Sequence, residues 1–280
     1  MALVNFILNL VGLLLWTSWR SWQFDPLLKS SPATLAGTLK RAEPRRVKGW
    51  HVLSALAVLL FLRAVLYRQV GSAVNWTPHL QLGAIVLAFR SDFFGRMLLF
   101  SVCSFGSVLA VFYLWLLLLS LVIGRVSEPS PWPRLVRLHL GPLGQLPPPL
   151  KIILPLLGGL VLWLPLSFLL VRSQIIPAAR SWPHRLEQAV VIGLGAYLCW
   201  QYLVGLLLAL HILNSYLYFG SHSFWTFISL TARRLLYPLR WIPLRLGKID
   251  FAPLVAIALA FAAAQFAERG LTLLYQRLPL

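Results

Sequence analysis

Acidic residues and histidines are the side chains through which this sequence could perform proton or metal chemistry, and both types are scarce. The 280 residues include seven acidic residues and six histidines. The acidic residues are Asp25, Glu43, Asp92, Glu128, Glu187, Asp250 and Glu268. No two of them form a plausible acid–base pair, and no GxSxG, HExxH or phosphate-loop motif occurs. The sequence therefore predicts a protein that is not an enzyme, with no catalytic, cofactor-binding or metal-binding residues.

His211 differs from the other histidines because it lies inside an apolar segment. The polar residues that follow it on the same helix face are Asn214, Ser215 and Tyr218. Such a face could bind haem or an ion, or it could form an interhelical hydrogen-bond cluster near a membrane surface. A haem site would need a second histidine at matching depth, where the third apolar segment has Trp115 and Leu116. The pattern favours the hydrogen-bond cluster.

The composition predicts a membrane protein. Hydrophobic residues make up 59% of the chain and charged residues 11%, with a mean hydropathy of +0.78. Several apolar runs approach or exceed the roughly 20 residues that a helix needs to cross a bilayer. We therefore expect an all-α, polytopic helical membrane protein with about six transmembrane helices. The expected spans are residues 3–17, 50–67, 97–123, 150–171, 189–213 and 251–267.

Three further expectations concern the first third of the chain. Arg63 lies within about one turn of the end of the second span, so we expect its guanidinium to extend to the lipid headgroups. Residues 74–90 are too short and too mixed to span a bilayer, which predicts an interfacial or re-entrant segment. Residues 34–43 could form a surface helix.

The charge is strongly basic, with 25 basic and 7 acidic residues and a net charge of +18. The basic residues lie in short loops beside apolar segments, and no nucleic-acid-binding module is recognisable. We therefore expect the lipid bilayer and its anionic headgroups as partners, and no nucleic acid. Loops after the first, third and fifth spans carry about twice as many basic residues as the other side, which predicts that they are cytoplasmic and both termini external.

A basic segment rich in proline precedes the last span and reads PLRWIPLRLGKIDFAPL. Pro238 and Pro243 each interrupt a helix, and Gly247 permits a turn. Asp250 occupies the position of a helix N-cap, and Pro253 falls in the first turn. The segment is expected to fix how the last helix enters the bilayer.

The PLRWIP and GKIDFAP segments followed by an apolar helix resemble the signature of the YggT family of bacterial and plastid membrane proteins, over residues 94–275. The motif positions are Pro238, Arg240, Pro243, Gly247, Asp250 and Pro253. The resemblance implies an integral membrane protein built from a repeated pair of helices. Relatives look to act in cofactor attachment to a cytochrome b, in nucleoid or division organisation, or in salt and osmotic tolerance.

From this resemblance we expect a non-enzymatic scaffold or assembly factor for other membrane components. Its location would be the bacterial inner membrane, and other membrane proteins would be its partners. The alternative is a transporter or channel-like protein involved in ion or osmotic tolerance. Charged or paired polar residues are scarce within the spans, which favours the scaffold because intramembrane pathways usually contain them.

An internal repeat is the last expectation. One constant offset pairs Cys103 with Cys199 and Pro142 with Pro238. The registration then slips by two residues, after which the first copy has Ile152 where the second has Asp250. The predicted domains are an N-terminal extension (1–93), a degenerate first repeat (94–183) and a second repeat with the motif (184–280). In the last span, alanines at a spacing of four predict a helix-packing face, and they are Ala252, Ala256, Ala260 and Ala264.

Overall fold

The structure is a computed structural model that describes residues 2–24, 49–74, 76–83, 85–124, 131–179, 181–217, 222–242, 245–246 and 249–277. The expected surface helix at residues 34–43 lies outside these residues, as do Pro243 and Gly247 of the motif.

Helices make up most of the described chain. The α-helices are α1 (Ala2–Phe24), α2 (Gly49–Val74), α3 (Phe94–Ile123), α4 (Pro131–Leu140), α5 (Pro148–Arg172), α6 (Trp182–Gly195), α7 (Trp200–Tyr216), α8 (Ser223–Leu235) and α9 (Ala252–Arg277). Three 3₁₀ turns lie at Gly141–Gln145, Ala196–Cys199 and Tyr237–Trp241. Two short hairpins are formed by β1 (His79–Leu82) with β2 (Ile85–Ala88), and by β3 (Arg245–Leu246) with β4 (Ile249–Asp250).

Six stretches of the described helices are long and apolar enough to cross a bilayer. They are Ala2–Ser21, Gly49–Gly71, Phe94–Ile123, Pro148–Arg172, Trp182–Tyr216 and Ala252–Gln276. Each contains one of the six predicted spans or overlaps most of it. The prediction of an all-α, multi-pass membrane protein is confirmed.

Residue contacts divide the chain into two compact units. Unit one contains Met1–Pro78 and Phe89–Leu109, and unit two contains His79–Ala88 and Ala110–Leu280. Helix α3 therefore contributes its first half to one unit and its second half to the other. These units group residues by contact, whereas the predicted boundaries after residues 93 and 183 mark sequence repeats.

In unit one, α1 and α2 run antiparallel and pack together with the first half of α3. Gly12 makes one of these contacts possible, because a Cβ atom added there would lie 2.9 Å from the Phe105 ring. The absence of a side chain at this position lets α1 and α3 approach closely.

The segment at residues 74–90 contains the β1–β2 hairpin, which the sequence did not predict. Leu80 pairs with Leu87 across the hairpin, and Leu80, Ile85 and Leu87 are buried. Exposed and buried residues alternate along β2, as expected for a strand with one covered face. The turn includes Gly83 at a φ of +60°, where a Cβ atom would lie 3.1 Å from the Gly195 Cα atom.

In unit two, helix pairs pack through small residues. A Cβ atom added to Gly159 of α5 would lie 2.6 Å from the Gly193 Cα atom of α6. A Cβ atom on Gly205 of α7 would lie 2.9 Å from the Phe261 ring of α9. Membrane helices gain van der Waals contact when glycine lets their backbones approach in this way.

The predicted alanine face of α9 is confirmed at its first two positions. Ala252 and Ala256 pack against a buried cluster that contains Leu208 of α7 and Leu236. The next two positions, Ala260 and Ala264, are half-buried, whereas Ala258 on another face is exposed. Helix α9 therefore turns this face toward the rest of unit two.

The fifth span differs from its prediction. It begins earlier, at Trp182, and the 3₁₀ turn Ala196–Cys199 interrupts it between α6 and α7. A 3₁₀ turn replaces the i−4 hydrogen bonds of an α-helix and leaves some carbonyl groups for other donors. The Trp115 indole Nε1 donates to the Cys199 carbonyl oxygen at 3.0 Å, and the Trp200 Nε1 donates to the Leu114 carbonyl oxygen at 3.1 Å. These bonds join α3 to the interrupted span.

Candidate functional site

Two amphipathic helices, α4 and α8, lie at the end of unit two that also contains the motif. Their apolar faces meet each other, with Trp132 and Phe224 rings 5.1 Å apart. Together with the end of α3 and the first half of α7 they bury a hydrophobic cluster made of Ile123, Val136, Leu203, Leu207, Phe227 and Ile228. Both helices are therefore held against the membrane helices through their apolar sides.

The basic residues of α4 and α8 have two different roles. Arg134, Arg137 and Arg233 are exposed. Arg234 instead reaches the end of α3, where its Nη1 donates to the Val122 carbonyl oxygen at 3.1 Å and also to the Ile123 carbonyl oxygen. The last carbonyls of a helix lack intrahelical donors and carry partial negative charge, so a guanidinium there stabilises the helix end. Arg234 thus fastens α8 to α3.

Lys151, near the start of α5, fastens a second element to α3. Its side chain is 7% exposed, and its Nζ donates to the Ser120 Oγ at 2.7 Å and to the Gly144 carbonyl oxygen at 2.8 Å. Lys151 is one of the basic residues beside apolar segments for which the sequence predicts contact with lipid headgroups. The structure corrects this, because the ammonium group is used inside the protein to join α3, α5 and the turn Gly141–Gln145.

The two proline turns share one form. Gly141–Gln145 and Tyr237–Trp241 are both 3₁₀ turns with a proline in the first two positions. They begin and end at positions related by the same offset that pairs Cys103 with Cys199. In the second turn Pro238 is exposed, Tyr237 is 65% exposed and Trp241 is 89% exposed. The backbone of Arg240 lies in this turn.

The remaining described motif residues, Asp250 and Pro253, form the start of α9. The Asp250 Oδ1 accepts a hydrogen bond from the Ala252 backbone N–H at 3.0 Å. The Phe251 carbonyl oxygen accepts from the Val255 N–H at 3.0 Å, so Phe251 occupies the N-cap position. Asp250 therefore caps the helix from one residue earlier than predicted, and Pro253 is buried in the first turn as predicted. The β3–β4 hairpin places Arg245 opposite Asp250 in the backbone register.

The predicted polar face around His211 is only partly assembled. Asn214 Nδ2 donates to the Ser229 Oγ of α8 at 3.0 Å, which gives the expected interhelical hydrogen bond. The His211 Nδ1 atom is buried and has no hydrogen-bond partner among the described residues. Arg233 and Asp250 lie within electrostatic range of its ring. The part of the chain that the structure describes has no group of three metal-ligating side chains, and Tyr218 lies outside it.

Arg63 forms a buried polar site in unit one, so the predicted position of its guanidinium at the headgroups is wrong. Its side chain is 1% exposed, so it does not extend to the headgroups. Its Nη1 donates to the Asn9 Oδ1 at 2.6 Å, and its Nη2 donates to the Asn5 Oδ1. Asn9 Nδ2 in turn donates to the Ser104 Oγ at 3.1 Å. Two asparagines one turn apart on α1 therefore hold the guanidinium of α2, and α3 supports them.

Aromatic rings enclose the same guanidinium. Its central carbon lies 5.3 Å from the Tyr67 ring centroid and 5.8 Å from that of Phe100, within the range of cation–π attraction. Trp76 and Phe89 pack edge-on against the Phe100 ring. Among the described residues no carboxylate pairs with Arg63. Amide oxygens and ring faces thus stabilise this cation in a membrane span, without a counter-charge from the described residues.

No protein-family model, curated protein or solved structure matches this chain. What the chain does is therefore inferred from the contacts described above, and its membership of the YggT family is a proposal.

Proposed function

We propose that this chain is a YggT-type membrane protein that acts as a scaffold, assembling or organising other components of the bacterial inner membrane. In this role it is not an enzyme and uses no cofactor. Its partners are the lipid bilayer, anionic lipid headgroups and other membrane proteins. The proposed docking surface is the turn Tyr237–Trp241 together with the exposed arginines of α4 and α8, Arg134, Arg137 and Arg233.

The observation that carries this proposal is the exposure of a large aromatic side chain on a firmly held support. Trp241 is 89% exposed, whereas α8, the helix that directly precedes its turn, is fixed to α3 by Arg234. Exposed aromatic and arginine side chains are the residues that contribute most to protein interfaces. A rigid support lowers the entropy lost when a partner binds.

The order of the elements supports the predicted repeat. A membrane helix, an amphipathic helix, a 3₁₀ turn with proline and a second membrane helix follow one another in α3–α5 and again from α6 to α9. The hairpin and capping aspartate occur before α9, where the motif lies. We propose that the first repeat keeps the form of the unit, whereas the second also carries the docking turn.

Purification of tagged protein from native membranes tests the scaffold. The expected result is that specific membrane proteins co-purify with the wild type and are lost from Trp241→Ala and Tyr237→Ala. Trp182→Ala is the matched control, because Trp182 is exposed at the start of α6 and lies outside the proposed surface. Equal co-purification with all variants would contradict the proposed docking surface.

One observation favours the alternative of a transporter or channel-like protein. Arg63 is a buried cation within a membrane span, and ionisable residues in such positions often mark ion or substrate pathways. Purified protein in liposomes distinguishes the two functions. Anion or cation flux that disappears in Arg63→Gln would favour transport, and absence of flux in the wild type would favour the scaffold.

A further inference from the structure

The Arg185 side chain, near the start of α6, is held against two aromatic rings. The central carbon of its guanidinium lies 4.0 Å from the Phe168 ring centroid and 5.6 Å from that of Trp182. The two rings themselves meet edge-on, with their centroids 5.9 Å apart. A guanidinium that stacks on an aromatic face is held by cation–π attraction, and its N–H groups stay at its edge. The rings therefore fix the cation without using its hydrogen-bond donors.

These donors have no acceptor within the part of the chain that the structure describes. Among the described residues, the Arg185 side chain forms no hydrogen bond and no ion pair. The nearest acid in the sequence is Glu187, whose carboxylate lies 3.8 Å from the His184 Nδ1. Arg185 and Glu187 are two residues apart on an α-helix, so they are rotated by about 200° and lie on different sides of α6. Arg185 is only half-buried, so an anion from outside the chain can reach it.

A second cation lies on the same side of α5 as the Phe168 ring. Arg172 is the last residue of α5 and is exposed, and it follows Phe168 by four residues, so the two share one helix face. Its side chain also forms no hydrogen bond and no ion pair among the described residues. A phosphate group can accept hydrogen bonds from two guanidiniums at once, because it offers several charged oxygens. We call Phe168, Arg172, Trp182 and Arg185 the arginine corner.

The arginine corner lies at the ends of two candidate membrane spans, which is the level of the lipid headgroups. The span Pro148–Arg172 ends at one of its arginines, and the span Trp182–Tyr216 begins at its tryptophan. From Trp182 onward, exposed apolar residues recur along α6 at a spacing of four, and they are Leu186, Val190 and Leu194. A lipid whose phosphate binds at the corner can therefore lay its acyl chains along this apolar face.

We propose that the arginine corner is a binding site for one anionic phospholipid, whose phosphate accepts hydrogen bonds from Arg185 and Arg172. The corner has two cations and no paired acid, which favours a headgroup with net negative charge. The stacked rings hold Arg185 in place before the lipid arrives, so less side-chain entropy is lost on binding. Anionic lipids are already partners in the proposed function, but this site does not depend on the docking turn. Either proposal can therefore fail while the other stands.

Titration of the purified full chain in detergent with dioleoylphosphatidylglycerol, followed by native mass spectrometry, tests the site. The wild type is expected to bind one such lipid tightly. Arg185→Gln and Arg172→Gln should each weaken that binding by about tenfold or more, because each removes charge-assisted hydrogen bonds. Arg185→Lys should weaken it as well, since lysine keeps the charge but neither stacks on the rings nor binds phosphate in a bidentate manner. Arg68→Gln is the control, because it removes one charge from an exposed position on α2.

The same titration defines the results that would overturn the proposal. Wild-type affinity in Arg185→Gln, or an equal loss in Arg68→Gln, would show that the corner is not the site. Wild-type affinity in Arg185→Lys would reduce the contact to attraction by surface charge. Equal binding of dioleoylphosphatidylcholine would contradict the preference for an anionic headgroup. Displacement of the lipid by an equal concentration of inorganic phosphate would make a free anion the occupant instead.

Discussion

Arg63 and Asp250 show two ways in which a charged side chain can be used beside a membrane helix. Asp250 acts locally, accepting a hydrogen bond from a backbone N–H two residues away. Arg63 acts over a distance, because its asparagine partners lie 54 and 58 residues away in the sequence. The first role can be recognised from neighbouring residues, and the second requires the fold.

Substitution of Arg63 is expected to weaken the contact between α1 and α2. Arg63→Leu leaves the buried Asn9 oxygen without its donor, and a buried unsatisfied polar group costs about 1–3 kcal/mol. Thermal unfolding in detergent measures the loss. Arg68→Leu is the control, because Arg68 is exposed on the same helix and should change the melting temperature little. If both variants melt at the wild-type temperature, the hydrogen bonds of Arg63 contribute nothing to thermal stability.

Asp250 can be tested by separating its hydrogen bond from its charge. Asp250→Asn keeps a capping oxygen and removes the charge, whereas Asp250→Ala removes both. We expect thermal stability to be nearly unchanged by Asn and to fall by about 1 kcal/mol with Ala. Co-purification of partners should follow the same order, because a correctly started α9 holds the preceding turn. Loss of partners from the Asn variant with unchanged stability would make Asp250 a recognition charge instead.

At the scale of elements, two adjacent glycines in α5 allow the effect of helix packing on stability to be measured apart from that of helix propensity. A Cβ atom on Gly159 would meet the Gly193 backbone at 2.6 Å, whereas one on Gly158 would meet nothing within 4 Å. The clash at Gly159 is with backbone, which cannot rotate away as a side chain can. The two positions share one helix and one residue type and differ in their surroundings.

The two alanine substitutions are therefore expected to change the stability of the protein in different directions. Gly158→Ala should leave stability unchanged or raise it by up to about 1 kcal/mol, since alanine favours helix more than glycine does. Gly159→Ala should lower the melting temperature, because α5 and α6 must separate. Thermal unfolding of the two variants and the wild type is measured in one detergent. Equal melting temperatures would show that Gly159 of α5 and Gly193 of α6 are not in close contact.

At the scale of the whole molecule, the basic loops predict the orientation in the membrane. Cysteine labels at Ser130 or Ser223 should be shielded from an impermeant reagent in intact cells, and a label at Ser181 should react. Ser223 begins α8 and Ser181 caps α6, so both positions are defined by the fold. Labelling in the reverse pattern would place the docking turn on the outer side and contradict the proposed cytoplasmic scaffold.

The sequence by itself determined the six spans and the start of the last helix. Both depend on local properties, namely the length of an apolar run and the order of proline, glycine and aspartate along a few residues. The β1–β2 hairpin was missed because its strands are only four residues long and a short apolar run does not distinguish strand from interface segment. The interruption of the fifth span was missed because the residues Ala196–Cys199 are ordinary helix formers or nearly so.

Tertiary structure alone decided where the charges are used. Arg234 and Lys151 count as loop charges in the sequence, yet they bind α3 residues that are 112 and 31 positions away. The predicted second span ends about one turn after Arg63, whereas α2 continues to Val74 and helix packing brings the Asn5 and Asn9 oxygens to the guanidinium. A cation in a low-dielectric region must be stabilised by hydrogen-bond acceptors that the packed helices place beside it. Which acceptors these are depends on contacts between residues that are distant in the sequence.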